Sequence, residues 1–347
     1  MLYFFKEFLE RVSINRLILK EKVERKRIKK MKIVILNGAK VNYDGIIDYS
    51  VLAEKEDQLV VFDTCEDHGY REISEGAEVI ISKELPISRE DIMGLPDTVK
   101  LICEAGTGYN NIDLDACRER GIGVCNVPSY SSERVAHTAV MMMLMLASTM
   151  QTQISMLAKG DHTNFDKCLS VPHVELNGKT LGVIGAGNIG RQTIAVGRAL
   201  GMNVLVYNRT KKEDSEGVHF TTMEEVFRNS DFISLHCPLN EQTRHLVNKD
   251  TLALMKPTAF IINTSRGPLI NEEDLIEALK TRKIAGAGLD VQEVEPLPAS
   301  SSLFALDNVI VTPHMGWKGL ETRQRLVSIL KEGIDGYRRG EKVNRVD

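Results

Sequence analysis

The stretch "TLGVIGAGNIGRQTIAVGRALG", Thr180 to Gly201, decides the fold. An apolar run ends at Gly185, and Gly187 and Gly190 follow where a helical pattern opens. The first glycine permits a tight turn after a strand, the second lets backbone approach a pyrophosphate, and the third lets the helix pack closely on the strand. A strand-like segment, "NVLVY", comes next, so the unit reads as the opening of a dinucleotide-binding domain. The residue that recognises the adenosine ribose should stand about 20 residues on, at the end of that second strand. Asn208 occupies this place, followed by Arg209, Thr210, Lys211 and Lys212. An acid there would bind the ribose hydroxyls and repel a 2'-phosphate, whereas Arg can hold a phosphate with two hydrogen bonds. The basic turn therefore reads either as a selector for NADP(H) over NAD(H) or as a solvated loop without a ligand.

Outward from this unit, the chain alternates short β-branched runs with helical stretches. "KIVIL", "LVVF", "AEVIIS", "VKLICE" and "IGVCNV" form a first set, and "TLGVIG", "NVLVY", "DFISLH", "AFIIN", "AGAGLD" and "NVIVT" a second. Each is nearly continuously apolar, as a strand covered on both faces would be. The fold class implied is α/β, with two doubly wound parallel-sheet (Rossmann-like) domains. "SSERVAHTAVMMMLMLASTM" reads as a buried helix capped by Ser131 or Ser132, with Glu133 in its first turn. The polar connection after it is too long for a bare loop and reads as an arm packing on something, such as a second copy in a homodimer. The amphipathic C-terminal stretch reads as a helix returning to the first domain. The expected division is a discontinuous substrate domain, 31–129 with 318–347, and an inserted dinucleotide domain, 130–317.

Residues 1–30 hold ten Lys or Arg against four Glu, while the other 317 residues carry a net charge of -10. The first segment reads as an accessory extension, with Met31 a natural start. The acidic body argues against nucleic acid as a partner. The longest apolar run, Ala139 to Ala147, falls well short of the roughly 18 residues that span a bilayer. Six scattered cysteines without a C-x-x-C pair fit free thiols in a reducing, cytoplasmic setting, with no disulfide and no metal.

Three further segments follow strands, where open α/β sheets place ligand crevices. "NTSRGPLINEEDL", "GLDVQEVEPLP" and "VTPHMGW" carry Arg266, Glu295 and His314. Reduction of a 2-keto acid needs a guanidinium for the carboxylate and a proton donor that titrates near neutrality, roles open to Arg266 and His314. A carboxylate beside the imidazole would orient it and favour its protonated form, which suits Glu295. Taken singly, each residue could equally be a cap, a loop acid or a core histidine.

Together, "ELNGKTLGVIGAGNIG", "NTSRG", "AGLDVQEVEP" and "TPHMGW" resemble the D-isomer-specific 2-hydroxyacid dehydrogenases, over essentially all of residues 31–340. "TGYNNID" and "NVPSYSSERVAHT" look most like the hydroxypyruvate reductase, or glycerate dehydrogenase, branch. The resemblance implies Arg266, Glu295 and His314 as the catalytic set, with Thr107 and Gly108 offering backbone N–H groups to the substrate carboxylate. To the dinucleotide contacts already read at the glycine turn and the strand end after it, Gly185, Gly187, Gly190, Asn208, Arg209 and Thr210, it adds Thr107, Asn188, Ile189, Cys237, Pro238, Thr243, Thr264, Ser265, Arg266, Asp290 and His314. Asp290 would lie near the nicotinamide amide. Trp317 would shape the substrate pocket, unless it only packs. The implied activity is NAD(P)H-dependent reduction of hydroxypyruvate or glyoxylate to the D-2-hydroxy acid, with closure of one domain over the other. Alternatives are a D-lactate or phenylpyruvate type reductase and a dinucleotide-sensing binding protein. The chain departs from the family at Asn208-Arg209 and at Phe165, where the arm often carries Trp. It also shows no regulatory domain after the last helix, an argument against the long type of phosphoglycerate dehydrogenase.

Overall fold

The computed structural model describes residues 30–65, 69–166, 168–210 and 213–347. The expected N-terminal extension, apart from Lys30, and the lysines at 211 and 212 lie outside the described residues. The described residues form two compact units, 30–130 with Arg323–Asp347, and Ser131–Thr322. The first is thus made from two separate stretches of chain and the second is inserted between them. The second boundary falls inside the helix Leu320–Arg338, five residues beyond the point read from sequence. Locally, Gly319 lies against Arg134, where a methyl group would come within 3.3 Å of its Cδ, and Thr322 is buried.

In the first unit, β1 (Lys32–Ile35), β2 (Gln58–Val61), β3 (Val79–Ser82), β4 (Leu101–Glu104) and β5 (Gly123–Cys125) form a sheet in the order β2-β1-β3-β4-β5. Every pairing is parallel. β3, β4 and β5 are buried along their whole length, which is why they read as nearly continuous apolar runs. β2 differs: as an edge strand it leaves Gln58 and Val61 exposed. Val34, Ile80, Ile92, Ile102, Ile122 and Val124 form the core. The returning C-terminal stretch is held by polar ties. Arg323, 2% exposed, donates to Asp44 at 2.8 and 2.6 Å and to the Val41 carbonyl. That guanidinium holds the Asp44 carboxyl down at about 2. Arg338 pairs with Asp57, and the Val346 N–H donates to the Val124 carbonyl.

In the second unit, β6 (Thr180–Ile184), β7 (Asn203–Tyr207), β8 (Val218–Phe220), β9 (Phe232–Leu235), β10 (Phe260–Asn263), β11 (Gly286–Leu289) and β12 (Val309–Val311) form a sheet in the order β12-β11-β10-β9-β6-β7-β8. All pairings are again parallel. β8 has no counterpart in the sequence reading. It is a three-residue edge strand with only Val218 buried, too short to show a pattern. The helix Ser132–Ala147 lies across β10 and β11 and against the helix Asn188–Ala199. Ser131 stands at its N-cap but makes no side-chain capping bond, and Glu133 is in the first turn. Close packing on the sheet depends on the glycines of β11, for a methyl group on Gly288 would lie 2.9 Å from Met142 Cβ.

The helix turns by 68° into Met150–Ala158, and no single helix among the described residues is long and apolar enough to cross a membrane. The expected arm consists of this second helix, a short helix Thr163–Asp166 and irregular chain. Ile154, Leu157, Phe165 and Leu169 on it are 53%, 48%, 76% and 51% exposed, so the arm leaves a run of apolar side chains uncovered.

The Met142 contact yields a stability test. Gly288→Val forces the helix away from β11 and is expected to cost about 1–3 kcal/mol. Urea unfolding measures it, and an unchanged midpoint contradicts this packing.

Candidate active site

The chain runs from β6 outward to β7 and β8, then returns to β9 on the other side of β6. This reversal opens a crevice beyond the strand ends, the place where doubly wound sheets take ligands. The glycine turn sits there. Gly185 has φ +100°, and a methyl group on it would lie 2.8 Å from the backbone of His236 and Cys237, which follow β9. A methyl group on Gly190 would lie 2.0 Å from the Gly185 carbonyl oxygen. Packing within the protein thus requires both residues to be glycine. Gly187 is different: nothing lies within 4 Å of where its side chain would be, and it caps the N-terminus of Asn188–Ala199. Open backbone at a helix N-terminus suits a phosphate.

Asn208 closes the far side of the turn. Its Oδ1 accepts from the Ala186 N–H at 3.1 Å, and its Nδ2 donates to the Thr210 carbonyl at 2.8 Å. Arg209 and Thr210 are exposed beside it. Asn188 is exposed and accepts from Arg191 Nη2 at 2.5 Å, while Ile189 is half-buried. After β9, Thr243 Oγ1 donates to the Pro238 carbonyl at 2.7 Å and Ser265 Oγ to the Cys237 carbonyl at 2.7 Å. These bonds bind the segment after β9 to itself and to the segment after β10. Burial pushes the Cys237 thiol up to about 11. Thr264 Oγ1 is buried with no hydrogen-bond partner. Such an orphan oxygen and the open face of Gly187 fit a bound dinucleotide.

Arg266, Glu295 and His314 follow β10, β11 and β12, three neighbouring strands. Asn263, fully buried, shapes the first segment: its Oδ1 accepts from the Ser265 N–H and its Nδ2 donates to the Arg266 carbonyl. Arg266 is half-buried, with Nη1 donating to the Ser265 carbonyl at 2.8 Å. His314 has φ +47°, a costly conformation for a residue with a side chain. Its loop is locked by Asp290, 1% exposed. Asp290 Oδ1 accepts from Thr312 Oγ1 at 2.6 Å and the Met315 N–H at 2.9 Å, and Oδ2 from the Gly316 N–H at 2.7 Å. The His314 N–H donates to the Asp290 carbonyl at 2.8 Å.

With the loop so held, His314 Nδ1 meets Glu295 Oε2 at 2.8 Å. A carboxylate accepts only, so Nδ1 carries the hydrogen and Nε2 is the nitrogen that exchanges a proton. Glu295 Oε1 accepts from the Gln292 N–H at 3.0 Å. Neither Gln292 nor the closeness of Gly267 to it has a signal in the sequence reading. Asp290 does, but its oxygens already take three donors of about four that a carboxylate can accept, and its first task is to build the His314 loop. Trp317 is 3% exposed, and the Lys318 ammonium lies 5.9 Å from its ring centroid.

Thr107 and Gly108 belong to the first unit, after β4. Thr107 Oγ1 donates to the Val127 carbonyl at 2.9 Å, and the Thr107 carbonyl accepts from Asn126 Nδ2 at 2.8 Å. Beneath them, Gly106 leaves room for two buried ionisable side chains: a methyl group there would lie 3.1 Å from Lys83 Nζ and 3.2 Å from Glu104 Oε1. Burial raises the Glu104 carboxyl above its usual range. Among the described residues, no cluster of three or more His, Cys, Asp or Glu could hold a metal ion.

The family model described as D-isomer specific 2-hydroxyacid dehydrogenase, NAD binding domain, matches residues 140–316. A hydroxypyruvate reductase of Blautia hydrogenotrophica is 35% identical over 91% of this chain and 100% of its own length. Among solved structures, a D-lactate dehydrogenase of Aquifex aeolicus complexed with NAD and lactic acid superposes with a TM-score of 0.78 at 29% identity, covering 89% of this chain and 96% of that one. An acyclic imino acid reductase in complex with NADPH and D-Arg gives 0.77 at 28% identity, over 91% and 100%.

One half-buried histidine behind the glycine turn, with its Nδ1 enclosed, ties pH to stability. Burial lowers His236 from its ordinary 6.5 to about 4, so it is neutral in the folded chain. Between these values the unfolded chain binds more protons than the folded one, and stability falls as pH drops through that window. The expected loss is about 3 kcal/mol at 1.36 kcal/mol per unit. His236→Asn should flatten the pH dependence of urea stability between pH 6.5 and 4; an unchanged slope contradicts a neutral His236 in the folded chain.

Proposed function

Because the chain belongs to the D-isomer-specific 2-hydroxyacid dehydrogenases, we propose that it reduces hydroxypyruvate or glyoxylate to the D-2-hydroxy acid with NAD(P)H. The observation that carries this reading is the 2.8 Å contact between His314 and Glu295, on the strand ends next to Arg266. When bound, the reduced dinucleotide supplies the hydride that ends on the keto carbon. The His314 imidazolium gives its Nε2 proton to the keto oxygen, completing the hydroxyl. Glu295 stabilises that imidazolium before the transfer and holds the ring afterwards. The Arg266 guanidinium grips carboxylate and carbonyl oxygen. The keto group thus gains two hydrogens, one as the hydride and one as the proton from His314.

Which dinucleotide is used turns on Asn208-Arg209. Asn208 spends its side chain on Ala186 and Thr210, so the strand end offers no acid to the ribose. Exposed Arg209 is free to meet a 2'-phosphate, which supports NADPH over NADH. The uncovered apolar side chains of the arm, with Leu144 on the preceding helix 44% exposed, support a homodimer through this surface. Free thiols at all six cysteines suit the cytoplasm.

His314→Gln is expected to lower kcat by about 10²–10⁴-fold while dinucleotide affinity is retained; an unchanged kcat contradicts the role of His314. Arg209→Ala should raise the KM for NADPH about tenfold or more, the effect of losing roughly 1.5–3 kcal/mol of charged hydrogen bonding, and leave that for NADH within twofold. A matrix of both cofactors against hydroxypyruvate, glyoxylate, pyruvate and phenylpyruvate, scored by kcat/KM, reads substrate and cofactor choice together. An equal loss with both cofactors would reduce the turn to a basic loop.

A further inference from the structure

We infer that Gln292 is the positioning residue that sets Arg266, Glu295 and His314 relative to one another, an inference that rests on the reductase reading above. Gln292 is 5% exposed and touches all three segments. Its backbone N–H donates to Glu295 Oε1 at 3.0 Å, fixing the carboxylate whose other oxygen meets His314. Its side-chain Nε2 donates to the Leu289 carbonyl at 3.2 Å and the Thr312 carbonyl at 3.3 Å, joining the end of β11 to the segment that leads into His314. Its carbonyl lies against Gly267, the residue after Arg266, so closely that a methyl group there would come within 1.7 Å of the oxygen.

The chemistry of the side chain fits this task. A carboxamide carries two N–H donors on one planar nitrogen, one for each carbonyl. Glutamate would present oxygens to both carbonyls, and a hydrocarbon would leave them without this donor. The Thr312 and Leu289 carbonyls already accept backbone N–H groups, from His314 at 3.0 Å and from Thr312 at 2.9 Å. The amide is therefore a cross-tie added to an existing ladder, and its removal loosens the geometry rather than the sheet. Catalytic groups displaced by about 1 Å lose as much as 10²-fold in rate. The proton step is the one exposed to this error, because Gln292 acts on both the residue that gives the proton and the carboxylate that holds it.

The test compares the wild-type enzyme with Gln292→Met, which fills the same space without donors, and Gln292→Ser, which leaves room for water to reach both carbonyls. Steady-state kinetics use NADPH with hydroxypyruvate and glyoxylate in H₂O and D₂O, beside Tm and direct titration of NADPH binding. Both variants are expected to lose at least tenfold in kcat, with NADPH affinity and the KM for the keto acid within threefold, and to show a larger solvent isotope effect. A kcat equal to wild type in either folded variant overturns the proposal. So does a loss that only follows the folded fraction, with no change in isotope effect, since that describes a structural residue. A wild-type enzyme that binds NADPH but turns over neither keto acid overturns the reductase reading itself, and this inference with it.

Discussion

The buried carboxylate of Asp290 is the constraint on which the site depends. A charge at 1% exposure has no water to solvate it, so donors must come from the chain, and they come from Thr312, Met315 and Gly316. Satisfying them wraps the loop around one carboxylate and leaves little choice for the residue between. His314 accordingly holds φ +47°, a strain that persists only where the surroundings over-determine it. The imidazole is thus aimed by the backbone before any ligand arrives, and Glu295 completes the aim from the neighbouring strand end. Groups that need no rearrangement during reaction are the economical way to lower a barrier.

The glycine turn shows the same sharing of parts between fold and site. Gly185 and Gly190 are glycines because protein atoms crowd them, and replacing either disturbs the meeting of β6, β9 and the helix Asn188–Ala199. Gly187 meets no protein atom, so packing does not account for its want of a side chain. One motif therefore contains two glycines required by packing and one that faces open space. Spacing alone does not separate them.

Much of the architecture was legible in the amino-acid sequence. Central strands of a parallel sheet are covered on both faces, and β3, β4 and β9 are accordingly buried throughout and nearly continuously apolar. Legibility failed at one edge, where that cause is absent: β8 has three residues with only Val218 buried, whereas the edge strand β2, though half exposed, still carries a readable apolar run. Arg266, Glu295 and His314 could be picked out because their chemistry resides in their side chains. Gln292 could not, because its effect comes from a backbone N–H, a carbonyl and a cross-tie between chain segments distant in sequence. Asn208 lay between these cases. Its identity pointed to a missing acid, while its bond to Ala186, which makes the substitution part of the turn, appears only in three dimensions.

The central claim is that this chain delivers hydride and proton to a 2-keto acid so as to make the D-hydroxy acid. Chiral chromatography of the product formed from hydroxypyruvate and NADPH tests it most directly. The account predicts D-glycerate as essentially the sole enantiomer; L-glycerate, a racemate, or the absence of product would contradict it.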